Sequence, residues 1–318
     1  MTIEPQHAAP DHFILHISDT HFVADNDLLH GSVDSDENLR QLFRDFVKAQ
    51  VKPEAMVFTG DLADTGRPDA YVRLRKIVEP VAEEFGAKII WVMGNHDERA
   101  AFRAGLLDSD AGQESVDMVH DVNGLRIIAL DSTVPGLHHG EISDEQLEWL
   151  SEVLATPAPH GTLIALHHPP VPSPLEIMAM VELREQSRLE KVIQGTDVRG
   201  ILAGHLHYST FSTFAGVPVS VASATCYTQD LNVPRDTIRG QNGAQAFNLV
   251  HVYQDRLLNS VVPIGEFSSV YTVSAGQMAA YQQMSLEEVT EAMRADYTPD
   301  VKASDVIAVE GELAGTTR

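Results

Sequence analysis

Six short apolar runs punctuate the first two hundred residues: "FILHIS" from Phe13, "AMVFTG" from Ala55, "KIIWVMG" from Lys88, "LRIIAL" from Leu125, "TLIAL" from Thr162 and "GILAG" from Gly200. Such runs are the length of buried strands and too short for helices. Between them, "ENLRQLFRDFVKAQ" (37–50) and "DAYVRLRKIVEPVAEEF" (69–85) place apolar residues at helical spacing, the second with Asp69 as the expected N-cap. "SDEQLEWLSEVL" opens on Ser143 with Gln146 three positions later, a capping-box signature. Strand alternating with helix over residues 13–207 predicts an α/β sheet with helices on its faces.

Beyond residue 207 the texture changes. "TFAGVPVSVASAT", "AFNLVHVY" and "RLLNSVVPIG" alternate β-branched and small residues, which predicts antiparallel strands and a second sheet. "SLEEVTEAMRADY" (285–297) is expected to be another capped helix, and the polar end from Thr298 to Arg318 to be loosely ordered.

Every run ends in a residue able to ligate a metal or hold a proton. The first leads into Asp19-Thr20-His21, the second into Gly60-Asp61 and the third into Gly94-Asn95-His96-Asp97. The fourth ends at Asp131, the fifth at His167-His168 and the sixth at Gly204-His205-Leu206-His207. Taken singly, each is an ordinary turn or cap. Jointly they point to one crevice, because the carboxyl ends of the strands of an open α/β sheet converge there. Glycines 60, 94 and 204 are expected to let the backbone turn sharply and bring the next side chain inward.

Composition narrows the chemistry. A formal net charge of -24 disfavours a nucleic-acid polymer or an anionic membrane as partner. A small anionic substrate needs a local positive centre, and with 22 Lys and Arg against 46 acidic residues and 15 histidines, bound metal is the natural source. The single cysteine, Cys226, excludes an internal disulfide and a thiolate-rich metal site, in keeping with a reducing cytoplasm. The N-terminal stretch lacks a basic segment followed by an apolar one, and no apolar run approaches the ~18 residues that span a bilayer, so a cytoplasmic location is expected.

Asp19-X-His21, Gly60-Asp61, Gly94-Asn95-His96-Asp97, His167 and Gly204-His205-X-His207 resemble, in order, the motifs of the calcineurin-like metallophosphoesterases. More narrowly, "HISDTH", "GDLADTG", "WVMGNHDER", "HHGEIS", "ALHHPP", "GHLHYST" and "SVASATCYTQD" look like the bacterial class III cyclic nucleotide phosphodiesterases. The resemblance implies a four-layer αββα sandwich with two mixed β-sheets, occupying residues 13–265. An N-terminal extension (1–12) and a C-terminal extension (266–318) with one helix and a loose tail would flank it. It implies one metal on Asp19, His21, Asp61 and His207, and another on Asp61, Asn95, His167 and His205. His168 competes with His167, which matches the family ligand and directly continues its run.

Seven side chains with one shared carboxylate give each ion four protein ligands and leave room for substrate. Oxygen and imidazole ligands suit iron and manganese, with zinc or another first-row divalent ion also fitting. The implied reaction is hydrolysis of a small phosphodiester, cAMP foremost, by in-line attack of a metal-bound hydroxide. His96 would assist as an acid or stabilise charge, with Asp97 orienting it. Asn95, His96, His138 and His207 would meet the substrate, and a homodimer is expected.

Near relatives fit less well. Thr65 stands where the protein serine/threonine phosphatases carry arginine, and Asp64 where the purple acid phosphatases carry a metal-binding tyrosine. The alternatives kept are a phosphodiesterase for a glycerophosphodiester or a 2',3'-cyclic nucleotide, and a scaffold of the same fold without catalysis.

Overall fold

The computed structural model describes residues 5–234 and 236–297. The chain runs β1 (His12–Ile17), α1 (Ser35–Lys48), β2 (Ala55–Thr59), α2 (Pro68–Phe85), β3 (Lys88–Val92) and α3 (Arg99–Leu106). It continues through β4 (Met118–Val122), β5 (Leu125–Ala129), α4 (Asp144–Leu154), β6 (Thr162–Ala165), α5 (Gln186–Ile193) and β7 (Val198–Ala203). The pairs β8 (Thr210–Phe214) with β9 (Val217–Val221), β10 (Thr228–Gln229) with β11 (Gly240–Gln241), and β12 (Ala246–Val252) with β13 (Leu257–Pro263) follow. Helices α6 (Ala275–Tyr281) and α7 (Leu286–Tyr297) come last.

Two mixed sheets result, ordered β13-β12-β1-β2-β3 and β4-β5-β6-β7-β9-β8. Between them, Ile14, Val57, Ile90 and Val92 of the first pack with Ile127, Ala129, Leu163 and Leu202 of the second. The outer face of the first sheet, with Leu15, Ile17 and Phe58, is covered by Leu39 and Phe43 of α1 and Tyr71 and Leu74 of α2. Ile128, Ile164 and Ile201 of the second are covered by Leu147 and Leu150 of α4 and Leu189 of α5. Each such side chain contributes about 1.5–3 kcal/mol of hydrophobic stabilisation, so the layers hold together through many modest terms. The architecture is the expected four-layer αββα sandwich.

How the strands are shared differs from the expectation. The six apolar runs do not form one sheet: β1, β2 and β3 belong to the first, β5, β6 and β7 to the second. Of the later described strands, β10 and β11 pair only with each other, in a two-residue ladder, and the rest extend the two large sheets. β9 lies parallel to β7, while β12 lies antiparallel to β1. A strand buried on both faces shows an unbroken apolar run whichever sheet it occupies, so the change of texture marks the outer strands rather than a new sheet.

Asp69 is not the N-cap of α2. Pro68 takes the first helical position, for which its fixed φ is suited, and Arg67 precedes it. The Asp69 carboxylate instead accepts from the Asp25 N–H (2.8 Å) and from Arg73 (2.6 Å). The Ser143–Gln146 capping box is present. Ala9–Glu266 is one compact unit, and α6 and α7 belong to another. In that second unit, α7 opens on Ser285, which exchanges bonds with Glu288 (2.7 and 3.3 Å). The additional helix α6 is only seven residues long, under two turns and shorter than the roughly 11-residue window over which apolar periodicity can be read. The tail from Thr298 lies outside the described residues.

Candidate metal centre and active site

Strands β1, β2 and β3 run parallel, as do β5, β6 and β7, so each trio presents its carboxyl ends together. The chain bends abruptly just past these ends. Asp19 (φ 52°), His21 (42°), Asp61 (50°), His205 (72°) and His207 (56°) all adopt the left-handed region that non-glycine residues seldom occupy. Such strain costs of order 1–3 kcal/mol per residue and persists only where the surroundings enforce it. Here they do: Asp19 N–H donates to Gly60 O (3.1 Å), His21 N–H to Asp61 O (2.9 Å) and His205 N–H to the Asp19 carboxylate (3.1 Å).

Of the three glycines expected to turn the chain, only Gly60 (φ 89°) has the left-handed conformation. Gly94 and Gly204 serve close approach instead. A Cβ at Gly204 would overlap Ser18 Oγ and crowd Asp19 Oδ2, and one at Gly94 would overlap Asp61.

The four imidazoles of the centre are fixed from behind. His21 Nδ1 lies 3.1 Å from Asp64 Oδ1, His167 Nδ1 2.8 Å from Thr59 O, His205 Nε2 2.9 Å from Val181 O and His207 Nδ1 3.0 Å from Tyr227 O. These acceptors assign the ring proton to the outer nitrogen of each neutral imidazole and leave the inner nitrogen bearing a lone pair. The inner nitrogens then face one another: His21 Nε2 and His207 Nε2 at 3.2 Å, His167 Nε2 and His205 Nδ1 at 3.2 Å. Lone pair opposes lone pair twice. Asp61 Oδ2 stands beside both pairs, 3.4 Å from His21 Nε2 and 3.3 Å from His167 Nε2, and Asp19 Oδ1 is 3.3 Å from His207 Nε2. Only a cation or a shared proton reconciles such a set, so the donors fit two metal ions flanking Asp61.

The charges agree. Burial opposes ionisation of Asp61, yet His167 and His21 outweigh it and hold the carboxyl well below its ordinary range. Asp19 is likewise lowered, by His207 against burial. Burial would push His21 and His167 down, but the carboxylates around them lift His21 to about 10 and His167 to about 9. Positive charge therefore settles on His21 and His167, while burial and the neighbouring imidazoles hold His205 well below its ordinary value.

Asp19, His21, Asp61 and His207 each place a ligand atom within 4.8 Å of the others, as do His167, His168 and His205. His168 is nevertheless engaged at both nitrogens, with Ser132 Oγ (2.8 Å) and His138 O (3.1 Å), and burial lowers it to about 3. Asn95 Oδ1 is 3.1 Å from His167 Nε2, its amide turned by His138 Nδ1 at 3.0 Å from Asn95 Nδ2. The His96 ring sits edge-on to His21 at 4.7 Å and 5.5 Å from His138.

Asp97 does not orient His96. Its carboxylate accepts from the N–H groups of Leu62, Ala63 and Gly94 and from Tyr71 OH (2.9–3.1 Å), clamping the loop that carries Asn95 and His96. Burial and nearby Asp61 raise it to about 6. The partner of His96 is Asp64, whose backbone O lies 2.8 Å from His96 Nδ1. Asp131 stays apart from the centre, paired with Arg99 (3.1 Å), and His139 pairs with Glu141 (3.0 Å). Cys226 is buried beside His207, and burial holds its thiol protonated. The sequence reading missed Asp64 as the support of His21 and His96, although its place three residues after Asp61 was the available signal.

Comparison with known proteins agrees with this geometry. Residues 14–209 match the family model described as calcineurin-like phosphoesterase, and the chain belongs to that family. It is 57% identical over 265 residues to a Rhodococcus erythropolis protein named "Probable cyclic nucleotide phosphodiesterase", covering 83% of this chain and 88% of that one. It is 56% identical over 273 residues to the "cAMP/cGMP dual specificity phosphodiesterase" of Mycobacterium tuberculosis, covering 86% of each. Among solved structures it resembles a dimetal phosphatase from Danio rerio in fold (TM-score 0.56, 17% identity, 80% of this chain and 100% of that one). Among the described residues no helix is long and apolar enough to cross a membrane.

Proposed function

We propose that this chain is a 3',5'-cyclic nucleotide phosphodiesterase acting on cAMP with two metal ions. The observation that carries the reading is the Asp61 Oδ2 atom between two opposed imidazole pairs. One ion would be held by Asp19, His21, Asp61 and His207, the other by Asp61, Asn95, His167 and His205. When bound, such ions supply positive charge for a phosphate oxygen and make water acidic enough to act as nucleophile near neutral pH.

The protein's own groups do the rest. His96 Nδ1–H donates to the Asp64 carbonyl, so Nε2 is the atom that holds or passes a proton, and a side chain one-third exposed (34%) is within reach of substrate. Protonated, His96 gives that proton to the departing ribose oxygen or stabilises its charge. The exposed His138 fixes the Asn95 amide and stands on the rim where the phosphate enters. Asp97 acts at a distance, keeping the loop of Asn95 and His96 in place.

Iron with manganese, a cytoplasmic location and a homodimer complete the proposal, the first supported by the O/N donor set. Metal analysis and the hydrodynamic size of the purified chain test the metals and the dimer. The deciding experiment is steady-state kinetics of one metal-defined preparation on cAMP, cGMP, 2',3'-cyclic AMP and a glycerophosphodiester. The expected order places the 3',5'-cyclic nucleotides first. Preference for either of the other diesters would overturn the substrate, and a metal-loaded protein without turnover would make the chain a scaffold.

A further inference from the structure

A cavity of about 320 Å³ lies against the centre, with His30, Val33, Tyr227, Gln229, Gly240 and Gln241 in its wall. Tyr227 belongs to both places. Its carbonyl faces His207 Nδ1, and its ring stands 4.4 Å from the His207 ring and 5.3 Å from that of His30. The rings of His138, His96, His21, His207, Tyr227 and His30 form a row, each 4.4–5.5 Å from the next, leading from the rim across the centre into the cavity.

The wall is held rigidly. Asn38 Nδ2 donates to the carbonyls of Thr225 (3.1 Å) and Cys226 (2.9 Å), and the Gln229 N–H to His207 O (3.0 Å). Gly240 lets the strand pass close to the Tyr227 ring, since a Cβ there would stand 3.1 Å from two ring carbons. The neighbouring amides have protein partners: Gln241 Nε2 donates to Thr228 Oγ1 (3.1 Å), and Gln245 Nε2 to Asn242 Oδ1 (2.8 Å). Gln229 differs. Its Oε1 has no protein partner and is shielded from solvent, an arrangement that folded proteins avoid, so the carboxamide gains a partner by turning this oxygen toward the cavity.

We propose that this cavity seats the base of the cyclic nucleotide, stacked on Tyr227 with its hydrogen-bonding edge read by the Gln229 carboxamide. The proposal rests on the reading of the centre as a cyclic nucleotide phosphodiesterase. Stacking on an aromatic side chain tolerates any base, so the edge contact carries the discrimination. A carboxamide offers a donor and an acceptor side by side, and half a turn exchanges them. One orientation matches the 6-amino donor and N1 acceptor of adenine, the other the O6 acceptor and N1–H donor of guanine. The seat therefore admits both purines.

The test compares metal-loaded wild-type chain with Gln229→Leu and Gln229→Glu on cAMP, cGMP and bis(p-nitrophenyl) phosphate, which has no base. Gln229→Leu should lower kcat/KM for both cyclic nucleotides by about tenfold or more, mainly through KM. Turnover of the base-free diester should change by less than about twofold, with metal content unchanged. Gln229→Glu keeps the shape but offers only acceptors, which suit the paired N1–H and 2-amino donors of guanine. Its cGMP to cAMP preference should rise about fivefold or more. Wild-type kinetics on the cyclic nucleotides in both variants would overturn the base seat alone, as would equal losses on all three substrates. Turnover of the base-free diester but of neither cyclic nucleotide by the unaltered chain would overturn the functional reading together with the seat.

Discussion

The two sheets bring different chemistry to the same place. The first supplies oxygen from Asp19, Asp61 and Asn95 with a single imidazole, His21; the second supplies imidazoles alone, His167, His205 and His207. Neither set is complete without the other. The second sheet does carry a carboxylate at the tip of β5, and its fate is instructive. Asp131 is fully buried, yet Arg99, the Val116 N–H and both donors of Thr133 use its oxygens (2.6–3.1 Å). Burial alone does not make a ligand. What separates Asp61 from Asp131 is a carboxylate oxygen that faces the inner nitrogens of two imidazole pairs instead of guanidinium and backbone donors.

That contrast breaks most sharply by substitution. Asp61→Ala removes the oxygen next to both imidazole pairs, so metal content and turnover should fall together, turnover by about 10³-fold or more. Asp131→Ala should retain both metals and instead cost about 3–5 kcal/mol of folding stability, because it leaves Arg99 charged and unpaired. Metal analysis with denaturant unfolding separates the two, and metal loss in Asp131→Ala would erase the distinction.

His96→Ala comes next. All seven expected ligands remain, so both metals should stay while turnover drops by about 10²–10⁴-fold. If His96 protonates the leaving oxygen, the loss should be smaller for p-nitrophenyl esters than for a cyclic nucleotide; equal losses favour charge stabilisation. Asp64→Ala is milder. It frees His21 Nδ1 but leaves the carbonyl that holds His96, so metal affinity should weaken by about 10–100-fold, measured by competition with a chelator. Unchanged affinity would mean that the backbone alone orients His21.

The effect most remote from catalysis is an acid dependence of stability outside the ligand set. Burial lowers His16 to about 3, so below its ordinary value of 6.5 the unfolded chain takes a proton that the folded chain refuses. Its contribution to stability is therefore complete above pH 6.5 and is lost as pH falls towards 3, at up to about 1.4 kcal/mol per pH unit. Denaturant unfolding of metal-free wild type and His16→Gln should show their stability difference shifting in that window. Parallel pH profiles would sink the assignment.

The ends of the apolar runs disclosed most of the centre because strand periodicity and ligand type are both written in side chains. The supports of those ligands were harder to see. Thr59, Val181 and Tyr227 act on the imidazoles through backbone carbonyls, which every residue possesses, so their identities carried no signal. Asp97 misled because a carboxylate next to a histidine suggests a pair, whereas four donors from Leu62, Ala63, Gly94 and Tyr71 claim it. The division of strands between sheets was hidden for another reason: β2, β6 and β7 are buried on both faces, and their runs look alike.

Because the proposed ligands come from both layers of the sandwich, an ion held at this centre would also be a fastener. Ile14, Val57 and Val92 meet Ile127, Leu163 and Leu202 through apolar contact, which is strong but has no preferred direction. Sliding of one layer by an ångström would disturb that packing and would also pull His167 away from Asp61. Metal binding therefore selects one alignment of the layers and opposes their separation, adding about 4 kcal/mol to stability at a free-ion concentration a thousandfold above Kd. Amide exchange along β2 and β6 should slow when metal is added, so the layers' alignment can be followed without any substrate at all.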